Sequence, residues 1–352
     1  MSSTLESSLP ILGQEVPIGR VDKALKELWG QDAARTRASL MNFAIYSENP
    51  DGVERNTELL GEITREHACR GLLILAVSDV NTPARAWITA HCQLHEGKKS
   101  VCSEQISFLL QAGNTNQLRN IVFGHLDSDL PLALWWQGNF TENFEERLYS
   151  VVDVLFVDSS CWKEPAAQFE RLQEALAAKS SRFNAYDLSW LRSHLFRTAL
   201  ATCFHHPAAL TELARLQRID VTYSKGHRVA ALLLAAWIGV RLKCHLETHH
   251  GGISLILPEG QHVDVHVNEA EGVDPLQSIE LRSEGGVFRV SRDCGAAYVC
   301  TCVELEGHTN KEMLPADLPK DADLIGDQLS RLGGKSLYRQ MVPMLQEMLG
   351  AD

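Results

Sequence analysis

Histidine, cysteine and glutamate lie close together at positions 244–250, where the chain reads CHLETHH. Thiolate and imidazole groups are good zinc ligands, and a histidine followed two residues later by a glutamate begins the pattern of zinc nucleobase deaminases. The second half of that pattern is missing, because one residue separates Cys300 from Cys302 and no proline precedes them. A metal-dependent hydrolase at 244–250 is one hypothesis, and a solvent-facing, histidine-rich loop is favoured over it.

A second candidate group, Asp158 with Ser159 and Ser160, follows an apolar stretch at 154–157 that is typical of a buried strand. Strand ends in α/β sheets often carry active sites. A sugar-phosphate enzyme with Asp158, Ser159 and His125 in its cleft is therefore an alternative hypothesis. No G-x-S-x-G elbow surrounds the serines, so a turn or cap is favoured for Asp158. The chain contains no G-x-G-x-x-G fingerprint and no complete phosphate-binding loop, and we expect no cofactor.

Adjacent tryptophans at 135 and 136 are a third unusual feature. On a strand, Trp135 and Trp136 point to opposite faces, so they cannot both fill one core layer. Tryptophan is enriched at protein interfaces because it buries a large area and keeps a polar group. For any single tryptophan, core packing is the alternative interpretation.

Composition narrows the classes of partner. The 352 residues include 33 Lys and Arg against 45 Asp and Glu, a net charge of −12, and no basic run is visible. We therefore predict neither nucleic acid nor a membrane as a partner. The first ten residues lack a secretory signal, and the longest apolar stretch, 229–240, is shorter than the about 20 residues that cross a bilayer. Nine scattered cysteines, an odd number, indicate reduced thiols, and we expect a cytoplasmic protein.

The elements that position these residues follow from apolar periodicity. In the first half, a strand at 40–46 closes at Asn49-Pro-Asp-Gly52, and continuous apolar runs predict strands at 71–77 and 154–157 that are buried on both faces. Stretches at 87–94 and 101–110 indicate an antiparallel hairpin. The order of strands and helices indicates a mixed β-sheet flanked by helices, with a right-handed parallel crossover.

The second half reads differently. Asp187 is predicted to cap a helix, a strongly apolar helix spans about 226–243, and short alternating strands follow after 250. Glu284-Gly-Gly-Val287 supplies a hairpin turn, and two helices close the chain. We predict a mixed α/β fold with a smaller C-terminal domain rich in antiparallel strands. Its domains are a flexible leader at 1–17, a mixed α/β domain at 18–207 and a helix-plus-sheet domain at 208–352.

Seven stretches spread over residues 37–245 resemble a known family, the OpcA-type glucose-6-phosphate dehydrogenase assembly proteins. The most specific stretches are DLPLALWWQG at 129–138 and DLSWLR at 187–192. The others are RASLMN at 37–42, EHACR at 66–70, CSEQI at 102–106, VDSS at 157–160 and AALLLAAW at 230–237.

This resemblance implies a protein that is not an enzyme. It would bind glucose-6-phosphate dehydrogenase and activate or assemble it, without a cofactor of its own. The partner-binding residues that we predict under this interpretation are Trp135, Trp136, Trp190 and Arg192.

The resemblance also implies redox regulation in some members of the family. If a disulfide forms here, Cys92 and Cys102 are the first choice, because they face each other across the predicted hairpin. Reduced thiols that simply pack against each other are the favoured alternative.

Overall fold

The computed structural model describes residues 9–30, 39–78, 83–95, 98–249, 252–293, 295–316, 320–331 and 336–351; side chains at 30, 92–95, 98–102 and 249 are not described. The chain forms two compact units. The first contains Met1–Cys161, Glu174–Ala185 and Asp321–Gly333. The second contains Trp162–Gln173, Tyr186–Lys320 and Gly334–Asp352.

The strands form two eight-stranded sheets. Those of the first sheet are β1 (Gln14–Val16), β2 (Met41–Ser47), β3 (Cys69–Val77), β4 (Arg85–His95), β5 (Lys98–Gln111), β6 (Leu132–Trp136), β7 (Val154–Val157) and β8 (Asn184–Asp187). Those of the second sheet are β9 (Leu216–Ser224), β10 (His245–His249), β11 (Gly252–Ile256), β12 (His262–Ala270), β13 (Leu276–Ser283), β14 (Gly286–Ser291), β15 (Tyr298–Leu305) and β16 (His308–Pro315).

The α-helices vary from one turn to four turns. They are α1 (Val21–Gly30), α2 (Val53–Glu66), α3 (Thr115–Gln117), α4 (Glu146–Tyr149), α5 (Pro165–Ala177), α6 (Leu188–Leu191), α7 (His194–Thr202), α8 (Pro207–Glu212), α9 (Arg228–Leu242), α10 (Asp321–Leu329) and α11 (Leu337–Leu349). Short turns of other helix types occur at Leu9–Leu12, Ile18–Arg20, Pro50–Gly52, Leu118–Val122, Phe123–His125, Ser159–Cys161 and Leu213–Arg215.

The first sheet has the order β1-β4-β5-β3-β2-β6-β7-β8. Neighbouring strands from β5 through β3, β2 and β6 to β7 are parallel, while β4 pairs antiparallel with β5 and with β1. From β5 to β8, the order is that of doubly wound α/β sheets, with β2 as the first strand. Every residue of β3, β6 and β7 is buried, as a parallel sheet covered on both faces requires.

The pattern of buried residues in helix α2 explains why this helix packs against the first sheet. Its buried residues include Leu59, Leu60 and Ile63, which lie three and four positions apart on one face. Gly71 on β3 allows the Leu60 side chain to approach closely, because a Cβ at that glycine would lie 3.0 Å from the leucine. Helix α10 packs on α2, and Arg55 forms an ion pair with Asp321 at 2.6 Å.

The second sheet has the order β10-β11-β12-β9-β13-β14-β15-β16. Only the β9–β12 pair is parallel among its described pairings. Helix α9 is buried along most of its length and packs on β9, β12 and α11, while α7 packs on β14 and β15. The outward residues of the central strands form ion pairs on the sheet surface, such as Arg218 with Asp220 at 2.7 Å.

The mixed α/β class and the strand-rich C-terminal part are confirmed. Asp187 caps α6 by accepting a hydrogen bond from the Ser189 N–H at 2.9 Å, and β13 and β14 form the hairpin predicted around 284–287. Among the described residues, no helix has the length and apolar character of a membrane span.

Three local features differ from the sequence interpretation. Residues 9–17, assigned to the flexible leader, bury Leu9 and Leu12 and add β1 to the sheet edge; residues 1–8 lie outside the described chain. The predicted histidine-rich loop is largely β10, paired with β11. Strand β16 was not predicted, because nearly all of its residues are exposed and its sequence shows no alternation.

Candidate functional site

The strand order of the first sheet reverses between β2 and β6, and this reversal defines the candidate site. In open α/β sheets, ligands bind outside the carboxyl ends of the strands at such a switch point. Tyr46, near the end of β2, lies opposite Trp136 at the end of β6. Beyond these residues, β2 continues into the turn at 48–52, and β6 continues into the loop at 137–145.

Side chains of the protein itself pack together at this point. We call them the switch-point cluster: Tyr46, Glu48, Trp136, Phe140, Thr141, Asn143 and Phe144. The rings of Tyr46 and Trp136 stack with centroids 4.0 Å apart. Phe140 and Phe144 stack on each other at 3.9 Å, and the Phe144 ring lies edge-on to Trp136 at 5.5 Å. All four rings are buried, so the carboxyl ends of β2 and β6 lead into an aromatic core.

A hydrogen-bond network holds the two chain segments together. The hydroxyl groups of Tyr46 and Thr141 both donate to Glu48 Oε1, at 2.6 and 2.7 Å. The amide of Asn143 donates to Tyr46 Oη at 2.7 Å. Burial, followed by the bond to Glu48, raises the pKa of Tyr46 above its ordinary value. The Tyr46 hydroxyl therefore stays protonated and remains a donor at neutral pH.

A second connection joins α2 to the loop that follows β6. Asn56 and Gln137 exchange two amide hydrogen bonds, each 2.8 Å long. A switch-point crevice lies where the connections leaving neighbouring strands go to opposite sides of the sheet. Here side-chain hydrogen bonds join those connections at two places, between Glu48 and Thr141 and between Asn56 and Gln137. The arrangement stabilises the fold at the position where open sheets leave a cleft.

The turn between β2 and α2 is acidic, and several of its donors are already used. Asn49 Oδ1 accepts from the Asp51 N–H at 3.0 Å, the Gly52 N–H donates to the Asn49 carbonyl at 3.2 Å, and Pro50 has no N–H. Two unit charges of like sign 4 Å apart repel by about 4 kcal/mol at an effective dielectric constant near 20. A helix N-terminus attracts an anion by only about 0.3–1 kcal/mol. Glu48 and Asp51 therefore make this turn a poor site for a phosphate.

The two adjacent tryptophans point to opposite faces of β6, as expected, but neither is available to a partner. Trp135 is 3% exposed and Trp136 is 0% exposed. The predicted partner-binding role of Trp135 and Trp136 finds no support in their burial, because both faces of this sheet are covered. In this structure both residues act as core side chains.

Trp190 and Arg192 lie at the end of α6 in the second unit. Trp190 is 7% exposed, and the guanidinium of Arg197 lies 3.2 Å from the centre of its ring. Arg197 also donates to the Trp190 carbonyl at 2.6 Å, and burial lowers its pKa to about 9. Trp190 is therefore held inside the unit, whereas Arg192 is half-exposed.

The residues of the alternative enzyme hypothesis are engaged in local structure. Asp158 Oδ1 accepts from both the N–H and the hydroxyl of Ser160, at 3.2 and 2.6 Å, and so closes the turn after β7. Nδ1 of His125 lies 3.2 Å from Asp22 Oδ2, and its ring stacks on Phe108. The turn interpretation of Asp158 agrees with this geometry.

The cysteine and histidine groups give no metal site among the described residues. Cys244 is buried, His245 is exposed on β10, and His250 lies outside the described chain. In the first sheet, the backbone register places Cys92 opposite Cys102. Their side chains lie outside the described part, so the disulfide stays a prediction.

Thiol alkylation of the folded protein at about pH 8 is expected to label Cys161 and to spare Cys69, Cys203 and Cys244. Cys161 is exposed. Burial raises the pKa of Cys69 and Cys203 to about 12 and that of Cys244 to about 11, so little thiolate is present. Mass spectrometry after labelling measures the pattern, with protein unfolded in guanidinium as the control. Rapid labelling of Cys244 in the folded protein would contradict its burial.

Two family models match the chain. Residues 61–174 match the N-terminal domain, and residues 184–342 the C-terminal domain, of the OpcA-type glucose-6-phosphate dehydrogenase subunit. Together they cover well over half of the sequence. The chain belongs to the OpcA family. The N-terminal OpcA domain match includes Trp136 and the loop at 137–145 but begins after Tyr46 and Glu48.

Curated relatives in the OpcA family are distant in sequence. A Nostoc punctiforme protein named OxPP cycle protein OpcA is 23% identical over 304 residues, which cover 79% of this chain and 64% of that protein. The Synechocystis protein of the same name is 22% identical over 323 residues, covering 82% of this chain and 65% of that protein. The chain therefore spans slightly less than two thirds of these relatives.

Among solved structures, the OpcA chain is similar to a 3-ketoreductase from Actinomadura kijaniata in complex with NADP. The TM-score is 0.50 at 10% identity, and the match covers 89% of this chain and 96% of that one. At this identity the likeness shows the fold alone.

Sequence reasoning missed most of the switch-point cluster. Glu48 and Asp51 flank Asn49 and Pro50 directly after a buried strand, where a nucleotide-binding turn needs glycines. That acidic composition is the local signal that distinguishes this OpcA turn from a nucleotide-binding turn. Of the two hydrogen-bond partners of Glu48, Thr141 lies 93 residues away in the sequence, and no local pattern indicates it.

Proposed function

We propose that this chain is a non-catalytic subunit that binds glucose-6-phosphate dehydrogenase and favours its active state in the oxidative pentose phosphate pathway. The observation that carries the proposal is the match of dehydrogenase-subunit domain models to both parts of the chain, 61–174 and 184–342. The names of the cyanobacterial relatives support a place in that pathway. The closed switch point supports a role in binding rather than in catalysis.

The physical mechanism is a shift of population. A subunit that binds one state of the dehydrogenase more tightly than another favours that state by the difference in binding free energy. A tenfold shift requires about 1.4 kcal/mol. One or two well-packed contacts at an interface supply a difference of this size.

The experiment that tests the function uses the full chain and the cognate dehydrogenase. Size-exclusion chromatography of the mixture is expected to show co-elution, and the substrate-saturation curve of the dehydrogenase is expected to shift when the chain is added. Unchanged elution together with unchanged kinetics would overturn the proposal. Turnover of a sugar phosphate by the isolated chain would instead favour the alternative enzyme near Asp158.

Among the four predicted partner-binding residues, Arg192 is the one that we still place in the interface, because it alone is partly exposed. The charge reversal Arg192→Glu is expected to weaken binding to the dehydrogenase by about tenfold, or about 1.4 kcal/mol. Isothermal titration calorimetry measures the dissociation constant.

The matched control is Arg241→Glu, which reverses an exposed arginine of the same unit at the end of α9. We expect this control to bind as the unchanged protein does. If both variants bind with unchanged affinity, Arg192 lies outside the interface even though the complex forms.

A further inference from the structure

The chain is similar in fold to an NADP-bound reductase, and the strand order of its first sheet is that of nucleotide-binding sheets. The first sheet can therefore be compared with a dinucleotide site. Such a site has three requirements at the first β–α turn. The dinucleotide needs room beside the carboxyl ends of β2 and β6, free backbone N–H groups for its pyrophosphate, and a neutral or positive surrounding. Each requirement can be compared with the switch-point cluster.

Room is the first requirement, and it is not met. Tyr46 and Trp136 occupy the ends of the two central strands, and their stacked rings are 1% and 0% exposed. Phe140 and Phe144, from the loop that follows β6, pack against the Trp136 ring. The amide pair of Asn56 and Gln137 spans the segments between which a nucleotide would enter.

Donors and charge are the second and third requirements. Glycines at this turn would let a pyrophosphate approach the backbone closely, but the sequence here is Ser47-Glu-Asn-Pro-Asp-Gly52. Pro50 has no N–H, and the N–H groups of Asp51 and Gly52 already donate to Asn49. Glu48 and Asp51 place two carboxylates where the ligand would carry its own negative charge. The residues present do not fit a dinucleotide.

From these contacts, we infer that the switch-point cluster has replaced a nucleotide site in this fold, so that the chain contributes no NADP(H) or NAD(H) site of its own. Glu48 bonds the loop after β6, and the aromatic rings fill the place of the bound ligand. In the complex suggested by the proposed function, all nucleotide sites then belong to the dehydrogenase. The inference about the isolated chain does not depend on that complex.

The test is direct titration of the full chain with NADP+, NADPH and NAD+ in a calorimeter. We expect no saturable binding of any of the three nucleotides at concentrations up to about 1 mM. A site with a dissociation constant of about 1 mM would bind with a free energy of only about 4 kcal/mol. The cognate dehydrogenase, titrated with the same nucleotide solutions, is the positive control. Saturable binding of one nucleotide per chain would overturn the inference.

A second measurement uses the complex. The number of NADP+ molecules bound per dehydrogenase chain is expected to be the same with and without the added subunit. An additional nucleotide per added subunit would overturn the inference. If no complex forms, the proposed function fails, while the titration of the isolated chain still decides whether this fold has kept a nucleotide site.

Discussion

Replacing Glu104 with alanine is expected to lower the free energy of unfolding of the first unit by about 3–5 kcal/mol. The Glu104 carboxylate is 1% exposed and accepts hydrogen bonds from Arg70 Nε at 2.6 Å and from Trp29 Nε1 at 2.9 Å. Without it, the guanidinium of Arg70 stays buried and its charge is uncompensated. Urea unfolding and hydrogen exchange of the β3 and β5 amides measure the loss.

An exposed ion pair provides the control for this substitution. Lys23 and Glu27 lie 3.7 Å apart on α1, and their side chains are 72% and 63% exposed. Lys23→Ala is expected to change stability by no more than about 0.5 kcal/mol, because water already screens this pair. Equal losses in the two variants would show that burial does not determine the contribution of the Arg70–Glu104 pair.

The substitution Trp136→Ala is expected to cost about 3–5 kcal/mol through the cavity that it leaves in the switch-point cluster. Trp136 is fully buried, stacks on Tyr46, and donates from Nε1 to the Asn139 carbonyl at 3.0 Å. Far-UV circular dichroism during urea unfolding measures the effect, and hydrogen exchange of β2 and β6 locates it.

The conservative variant Trp136→Phe keeps an aromatic ring and removes the indole donor. We expect a smaller loss, about 1–2 kcal/mol, from the missing hydrogen bond and the reduced volume. At a temperature where both variants are folded, binding to the dehydrogenase is expected to be unchanged. A folded Trp136→Ala protein that loses only binding would return Trp136 to the interface.

The elements that sequence reasoning located correctly are those whose pattern is local. The apolar run at 71–77 belongs to β3, which is buried at every position, and the apolar helix predicted at about 226–243 is α9. The glycines at 285 and 286 follow strand-like alternation, and a hairpin forms there. In each case, the pattern of neighbouring residues is sufficient to indicate the element.

The features that were missed depend on distant parts of the chain. β10 is rich in histidine, and β16 is exposed along nearly its whole length, so neither carries an apolar period. Both lie at the edges of the second sheet, where pairing with a neighbour is enough to form a strand. To predict that Trp135 and Trp136 are buried, one likewise has to know that both faces of the first sheet are covered.

The candidate site shows the same limit. The absence of a glycine fingerprint was visible in the sequence, but the replacement was not. It takes the folded chain to bring Glu48 to Thr141 and Asn56 to Gln137, pairs separated by 93 and 81 positions. A sequence can therefore indicate a missing ligand site while giving no information on what fills it.

Helix α10 belongs to the first unit, although most of the second unit precedes it in the sequence. This order has a consequence for biosynthesis. This helix covers part of α2 and contributes Asp321 to its ion pair with Arg55, yet Asp321 follows Arg55 by 266 positions in the sequence. Domains generally fold as they leave the ribosome, beginning with the N-terminal one. Here the apolar surface of α2 that α10 covers is expected to stay exposed while the intervening residues are translated, and during that time it is accessible to chaperones and prone to aggregation.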